Sequence, residues 1–146
     1  MILAYGRPFW PLFLHVLGAM TLVGAILTVA IVSFVAWPRP DVVILRRAAL
    51  RSLLFVAVPA YVVMRVGAEW IYSDEGLDNL KNDPTWIGIG FGVADAGLLV
   101  LLITIGFAFW WSRSGKAIPG RIVAGLASVY LVLLAVAWLA MSGKWG

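Results

Sequence analysis

The chain has no cysteine and only one histidine among its 146 residues. The lack of cysteine excludes disulfides, thiolate metal sites, cysteine-linked haem and cysteine nucleophiles. The single histidine excludes ligation of a metal by two histidines of one chain. No Ser-His-Asp arrangement and no H-E-x-x-H, Walker or G-x-G-x-x-G motif occurs, so the sequence leans away from an enzyme.

Charge is also scarce. Only 12% of the residues are charged and 63% are hydrophobic, whereas a soluble domain carries about 25% charged residues. Four apolar runs reach the roughly 20 residues that a membrane-spanning helix needs, and together they use more than half of the chain. We therefore predict an all-α, polytopic membrane protein, a four-helix bundle that forms a single membrane domain over residues 1–146.

Prolines and aromatic residues mark the ends of the predicted spans. The spans run from about Pro11 to Ala36, Ser52 to Tyr72, Trp86 to Trp111 and Ile122 to Met141. Pro59 predicts a kink within the second span. Trp110, Trp111, Trp145 and the other tryptophans near span ends are typical of anchors at the membrane interface.

The loops between the spans differ in charge. The first loop carries four arginines against one acid, and the third carries three basic residues and no acid. The second loop carries four acids against one lysine and lacks the alternating ligand pattern of a calcium loop. The positive-inside rule places the basic loops in the cytoplasm and both termini outside, as expected in a bacterial inner membrane. The net charge of +4 thus reflects topology, and we expect no nucleic-acid partner.

Residues 41–51 are predicted to form a short amphipathic helix on the cytoplasmic surface. Two interpretations of its arginines stay open. Arg46, Arg47 and Arg51 either contact anionic lipid or only set the topology.

Four ionisable residues interrupt the apolar spans, and all fall in the predicted outer half of the membrane: His15, Arg65, Glu69 and Asp95. An ionisable side chain in hydrocarbon costs roughly 2.5 to 3.5 kcal/mol, so such residues usually have a partner and often a function. Asp95 lies about 13 Å below the outer interface at the helical rise per residue. The inner half of each span lacks charged side chains, which favours an outward-facing pocket over a path through the membrane.

Helical spacing indicates which of these residues meet. Tyr61, Arg65, Glu69 and Tyr72 follow steps of four, four and three residues, so they form one polar stripe in which Arg65 and Glu69 can pair. His15 shares its helix face with small and apolar residues, which predicts that it points inward.

The third span has a small-residue face. Gly88 and Gly92 share this face with Asp95, and glycines at this spacing let a neighbouring helix approach closely. We therefore expect Asp95 to point into a helix–helix contact rather than into lipid.

Structural alternatives to a functional cluster stay open. The charged residues can form an ion pair that only specifies helix register, and the histidine can be a hydrogen-bonded packing residue. His15 with Met64 or Met141 can also ligate haem iron or Cu(I), while Met20 lies more than one turn deeper than the histidine. Methionines in apolar helices ordinarily fill gaps.

Two segments carry a family resemblance. The sequence Leu-His-Val-Leu-Gly-Ala over 14–19, followed by Val23-Gly24, resembles the opening helix of small bacterial membrane proteins. These are the copper-resistance D-type family and related families of unknown function. The final apolar run with Lys144 resembles their last helix, although Trp145 stands where that pattern tends to have proline. The resemblance implies a metal- or haem-associated role for His15.

The sequence favours a small binding or accessory membrane protein whose outward-facing polar pocket consists of His15, Tyr61, Arg65, Glu69, Tyr72 and Asp95. One alternative is a haem- or copper-binding redox or transport component that uses His15 and a methionine. Another is a structural subunit whose glycine faces dock on a larger membrane complex. The lipid bilayer is the expected partner, and a homo-oligomer stays open.

Overall fold

The computed structural model describes residues 9–143, and over that range it contains four long helices and no strand. They are α1 (Phe9–Ala36), α2 (Val43–Asp74), α3 (Thr85–Ser114) and α4 (Ala117–Gly143). Each is long and apolar enough to cross a membrane, which confirms the all-helical class and the four candidate spans. Lys144 and Trp145 lie outside the described residues.

Helix α2 is one continuous helix with an irregular turn. It consists of α-helical Val43–Ser52, a π-helical turn over Leu53–Ala57 and α-helical Val58–Asp74. Pro59 lies two residues after this turn; it has no N–H, and its ring disfavours a regular helix over the preceding turn. The widened turn is consistent with this effect of the proline, and the kink predicted at Pro59 stays a prediction. The predicted surface helix over 41–51 is helical, but it is the first part of α2 rather than a separate element.

The packing order of the helices leaves one seam loosely closed. Helix α1 packs against both α2 and α4, and α3 packs against α4. Helices α2 and α3 meet mainly where α2 begins and α3 ends, and they make few contacts at the opposite end. The seam between α2 and α3 is thus open toward the acidic loop.

Close backbone contact joins α1 to α2. A methyl group added at Gly18 would overlap the backbone nitrogen of Met64, and one added at Gly67 would lie 2.6 Å from the backbone nitrogen of His15. Glycine at both positions is what lets these backbones approach.

The core is a column of apolar side chains between the helices, and it includes Leu22, Val29, Leu53 and Tyr130. The outer surface is also apolar, with Phe55 73% exposed, as is typical of a surface that faces lipid. Trp111 is fully buried. Its predicted role as an interfacial anchor is therefore wrong, because the side chain packs inside the bundle against Gly120.

Candidate functional site

Arg65 of α2 bridges two carboxylates. Its Nη2 lies 3.0 Å from Oε1 of Glu69 in the same helix, and its Nη1 lies 3.2 Å from Oδ1 of Asp95 in α3. The first contact is the i,i+4 pair that the sequence predicts, and the second reaches across the seam. One guanidinium thus pairs with two carboxylates, and we call Arg65, Glu69 and Asp95 the triad. The triad carries a formal charge of −1 if all three groups are ionised.

Burial within the triad is unequal. The Arg65 side chain is 28% exposed, whereas those of Glu69 and Asp95 are 52% and 70% exposed. The arginine therefore lies under the carboxylates, and the acids face outward from the bundle. The site is an open seam lined by acids rather than an enclosed pocket.

An aromatic ring supports the arginine. The Arg65 guanidinium carbon lies 4.8 Å from the centroid of the Phe91 ring, within the range of a cation–π contact. Tyr72 contacts the same ring edge-on, with centroids 5.4 Å apart. Phe91 lies one turn before Asp95 on α3, so one helix supplies both the ring and the carboxylate.

The two tyrosines of the predicted stripe also reach toward α3. The Tyr61 hydroxyl donates a hydrogen bond to the backbone carbonyl of Ala94, at 3.0 Å. The Tyr72 hydroxyl donates to Oδ1 of Asp83 in the acidic loop, at 3.1 Å. Tyr61 and Tyr72 therefore flank Arg65 and tie α2 to α3 and to the loop before it.

Asp95 contacts α2 through Arg65, but Gly88 and Gly92 do not form the close helix contact predicted beside it. Gly88 and Gly92 are exposed, with no atom within 4 Å of an added methyl group. The close contacts of α3 are made instead by Gly90, against Met141, and by Gly97, against Tyr130. Glycines occupy both faces of α3, and among residues 9–143 no helix packs closely on the glycines that share a face with Asp95.

His15 lies at a different helix contact from the triad. Its ring Nδ1 is 3.0 Å from the backbone carbonyl oxygen of Met64, and a neutral tautomer with a proton on Nδ1 donates this hydrogen bond. Gly18, on the same face of α1, is buried, so the inward direction predicted for this face is confirmed. Between His15 and the triad, no hydrogen bond or ion pair joins the side chains in the part of the chain described.

The proposed metal ligands are dispersed. Met64 is buried where α1 meets α2, whereas the Met141 methyl group packs on Gly90 of α3. Within residues 9–143, no group of three or more His, Asp or Glu residues is arranged to hold a metal ion. Metal or haem binding by His15, Met64 or Met141 thus stays a prediction from the sequence.

Hydroxyl groups deeper in the bundle bond to their own helices. Thr28 donates to the carbonyl of Gly24, and Thr104 donates to that of Val100. Each hydroxyl proton is used in a bond within its own helix. The two hydroxyl groups therefore do not form a hydrogen-bonded path from one helix to the next.

Sequence reasoning missed two residues that shape the structure. One is Phe91, whose ring supports Arg65. Nothing in the sequence distinguishes it from the other apolar residues of α3. The burial of Arg46 has no signal in the sequence: its side chain is 6% exposed and donates from Nη1 to the backbone carbonyl of Pro40, at 3.0 Å. Arg46 is therefore held inside the protein, which argues against lipid contact, one of the two interpretations of this residue.

No family model matches the chain, and comparisons with curated proteins and with solved structures find no match. The resemblance to the copper-resistance D-type family therefore stays a prediction from the two sequence segments.

Proposed function

We propose that the protein is a multi-pass accessory protein of a bacterial inner membrane that binds a cationic group at Asp95. The proposed topology follows the positive-inside rule. It puts both termini and the acidic loop outside, and the triad of Arg65, Glu69 and Asp95 in the outer half of the bilayer. The observation that carries the proposal is the sharing of one arginine by two carboxylates, of which Asp95 is the more exposed.

The charge balance selects the class of ligand. Arg65 is engaged by two acids, so it serves as a counter-ion rather than as an anion contact. The surplus negative charge falls at an exposed carboxylate in an apolar helix, where a charge without a full partner is costly. A protonated amine supplies the missing charge and up to three hydrogen-bond donors.

The aromatic rings beside the triad suggest a suitable probe. Benzylammonium carries a cationic head and a ring that can pack near Phe91 and Tyr72, and benzyl alcohol is its uncharged counterpart. Calorimetric titration of the purified protein in non-ionic detergent should detect benzylammonium binding and no comparable binding of benzyl alcohol. Asp95→Asn should weaken that binding about tenfold or more, as expected for the loss of a charged hydrogen bond worth about 1.5 to 3 kcal/mol.

Asp74→Asn is the matched control, because Asp74 is an exposed acid at the end of α2 that is nearer to the triad. The proposal requires this variant to bind like the wild type. Equal binding of the amine and the alcohol, or equal losses in the two variants, would rule out a cation site at Asp95.

A second candidate function is docking of a partner helix on the uncovered face of α3. Exposed Gly88 and Gly92 beside Asp95 favour it, since small residues permit close helix approach. The charge of Asp95 selects a membrane helix that carries lysine or arginine. A synthetic poly-leucine helix with one central lysine should then associate in vesicles more strongly than its serine counterpart, and Gly88→Leu should abolish the difference. Unchanged association in Gly88→Leu would exclude this face.

A further inference from the structure

The end of the bundle opposite the triad carries a basic groove. It lies between the beginning of α2 and the end of α3, has a volume of about 610 Å³, and is lined by Arg47, Leu50, Arg51, Phe109, Ser112 and Arg113. We call it the arginine groove. None of the described residues that line it is acidic.

The three guanidinium groups of the arginine groove come from two helices. Arg47 and Arg51 are one helical turn apart on α2, and Arg113 faces the same groove from α3. All three are exposed, and none forms an ion pair with another residue of the described range 9–143. Topology alone requires positive charge in these loops but does not require arginines of two helices to share one groove.

One of these arginines is already oriented. The guanidinium carbon of Arg113 lies 4.5 Å from the centroid of the Phe109 ring. The same guanidinium forms no ion pair with another described residue. Arginine recognises phosphate through paired N–H donors, and an oriented guanidinium loses less entropy when it binds.

The groove also has an apolar part. Leu50 and Phe109 line it together with the arginines, and Phe109 is 48% exposed. A free inorganic anion would gain nothing from these side chains, whereas a lipid would place its glycerol and upper acyl groups against them. Basic pockets between membrane helices on the cytoplasmic side are typical sites for anionic headgroups.

We infer that the arginine groove binds the phosphate of an anionic phospholipid. The site is distinct from the triad and does not depend on a ligand there, but it rests on the proposed topology, which puts the arginine groove on the cytoplasmic side. Arg46, although adjacent in sequence, takes no part, because its side chain is buried and bonded to Pro40.

Native mass spectrometry of the detergent-purified protein tests this inference. Dioleoyl phosphatidylglycerol and dioleoyl phosphatidylcholine are added at matched concentrations, and we expect the wild type to retain the anionic lipid preferentially. Arg51→Gln and Arg113→Gln should each weaken its retention about fivefold, the factor that corresponds to about 1 kcal/mol per arginine near an anionic surface.

Arg39→Gln is the matched control, because Arg39 is exposed in the same basic loop but does not line the groove. Its retention of phosphatidylglycerol should equal that of the wild type. If Arg39→Gln loses as much phosphatidylglycerol as the groove variants, the lipid is held by diffuse attraction to the basic surface rather than by the groove. That result would overturn the inference. Displacement of the lipid by inorganic phosphate, but not by chloride at equal ionic strength, would identify free phosphate as the ligand and overturn the lipid assignment. Because the two groove variants lie on different helices, misfolding of one leaves the other as the test.

Discussion

Arg65 and Asp95 belong to different helices, and Nη1 of the arginine lies 3.2 Å from Oδ1 of the aspartate. This contact joins α2 to α3 at the end of the bundle where they otherwise make few contacts. The same arginine also holds Glu69. The stability of the seam and the charge offered by the site therefore depend on one side chain.

The shared arginine predicts an asymmetry between substitutions. Arg65→Met leaves two carboxylates without their counter-ion, whereas Asp95→Asn leaves the pair of Arg65 with Glu69 intact. We expect Arg65→Met to lower the free energy of unfolding in detergent by about 2 kcal/mol and Asp95→Asn to change it by less than about 1 kcal/mol. Adding Glu69→Gln and Asp95→Asn to Arg65→Met should restore most of the loss. A triple variant as unstable as the single one would show that Arg65 acts by packing alone.

The crossing of α1 and α2 predicts opposite effects for two glycine substitutions. A methyl group at Gly67 would lie 2.6 Å from the backbone nitrogen of His15, while one at Gly24 meets no atom within 4 Å. Gly67→Ala should therefore lower the thermal midpoint of unfolding by several degrees. Gly24→Ala should leave it unchanged or raise it, because alanine favours helix by about 1 kcal/mol over glycine. Equal midpoints for the two variants would contradict the close crossing.

Two buried tyrosines predict opposite effects of losing a hydroxyl. The Tyr130 hydroxyl is buried and has no hydrogen-bond partner among the described residues, whereas that of Tyr61 donates to the carbonyl of Ala94. Tyr130→Phe should therefore leave unfolding stability unchanged or raise it by about 1 kcal/mol, and Tyr61→Phe should lower it by about 1 kcal/mol. Thermal unfolding followed by circular dichroism measures both. A larger loss in Tyr130→Phe than in Tyr61→Phe would refute this assignment.

Periodicity and charge spacing were enough to predict the helices and part of the site. The apolar runs were long enough to identify four spans, and the four-residue step from Arg65 to Glu69 predicted their ion pair because that step returns to the same helix face. The beginning of α2 is harder to predict, since residues 43–51, with three arginines, resemble a surface helix yet continue into the span without a break.

The glycines of α3 do not show which face of the helix packs against the rest of the bundle. Gly88 and Gly92 lie on one face, and Gly90 and Gly97 lie on another, so the small-residue pattern fits two opposite orientations. Packing against Tyr130 and Met141 of α4 selects the second face, and those contacts are distant in sequence. The burial of Arg46 depends likewise on loop carbonyls that only the folded chain brings near it.

The orientation of the protein in the membrane is the first property to measure, because the proposed topology puts the triad outside and the arginine groove inside. The natural chain has no cysteine, so Asn82→Cys in the acidic loop and Ala117→Cys at the start of α4 are unique labelling sites, both exposed. Intact bacterial cells are treated with a membrane-impermeant maleimide, and then again after permeabilisation. We expect labelling of Asn82→Cys in intact cells and of Ala117→Cys only after permeabilisation. The reverse pattern would put the triad on the cytoplasmic side and rule out the proposed topology.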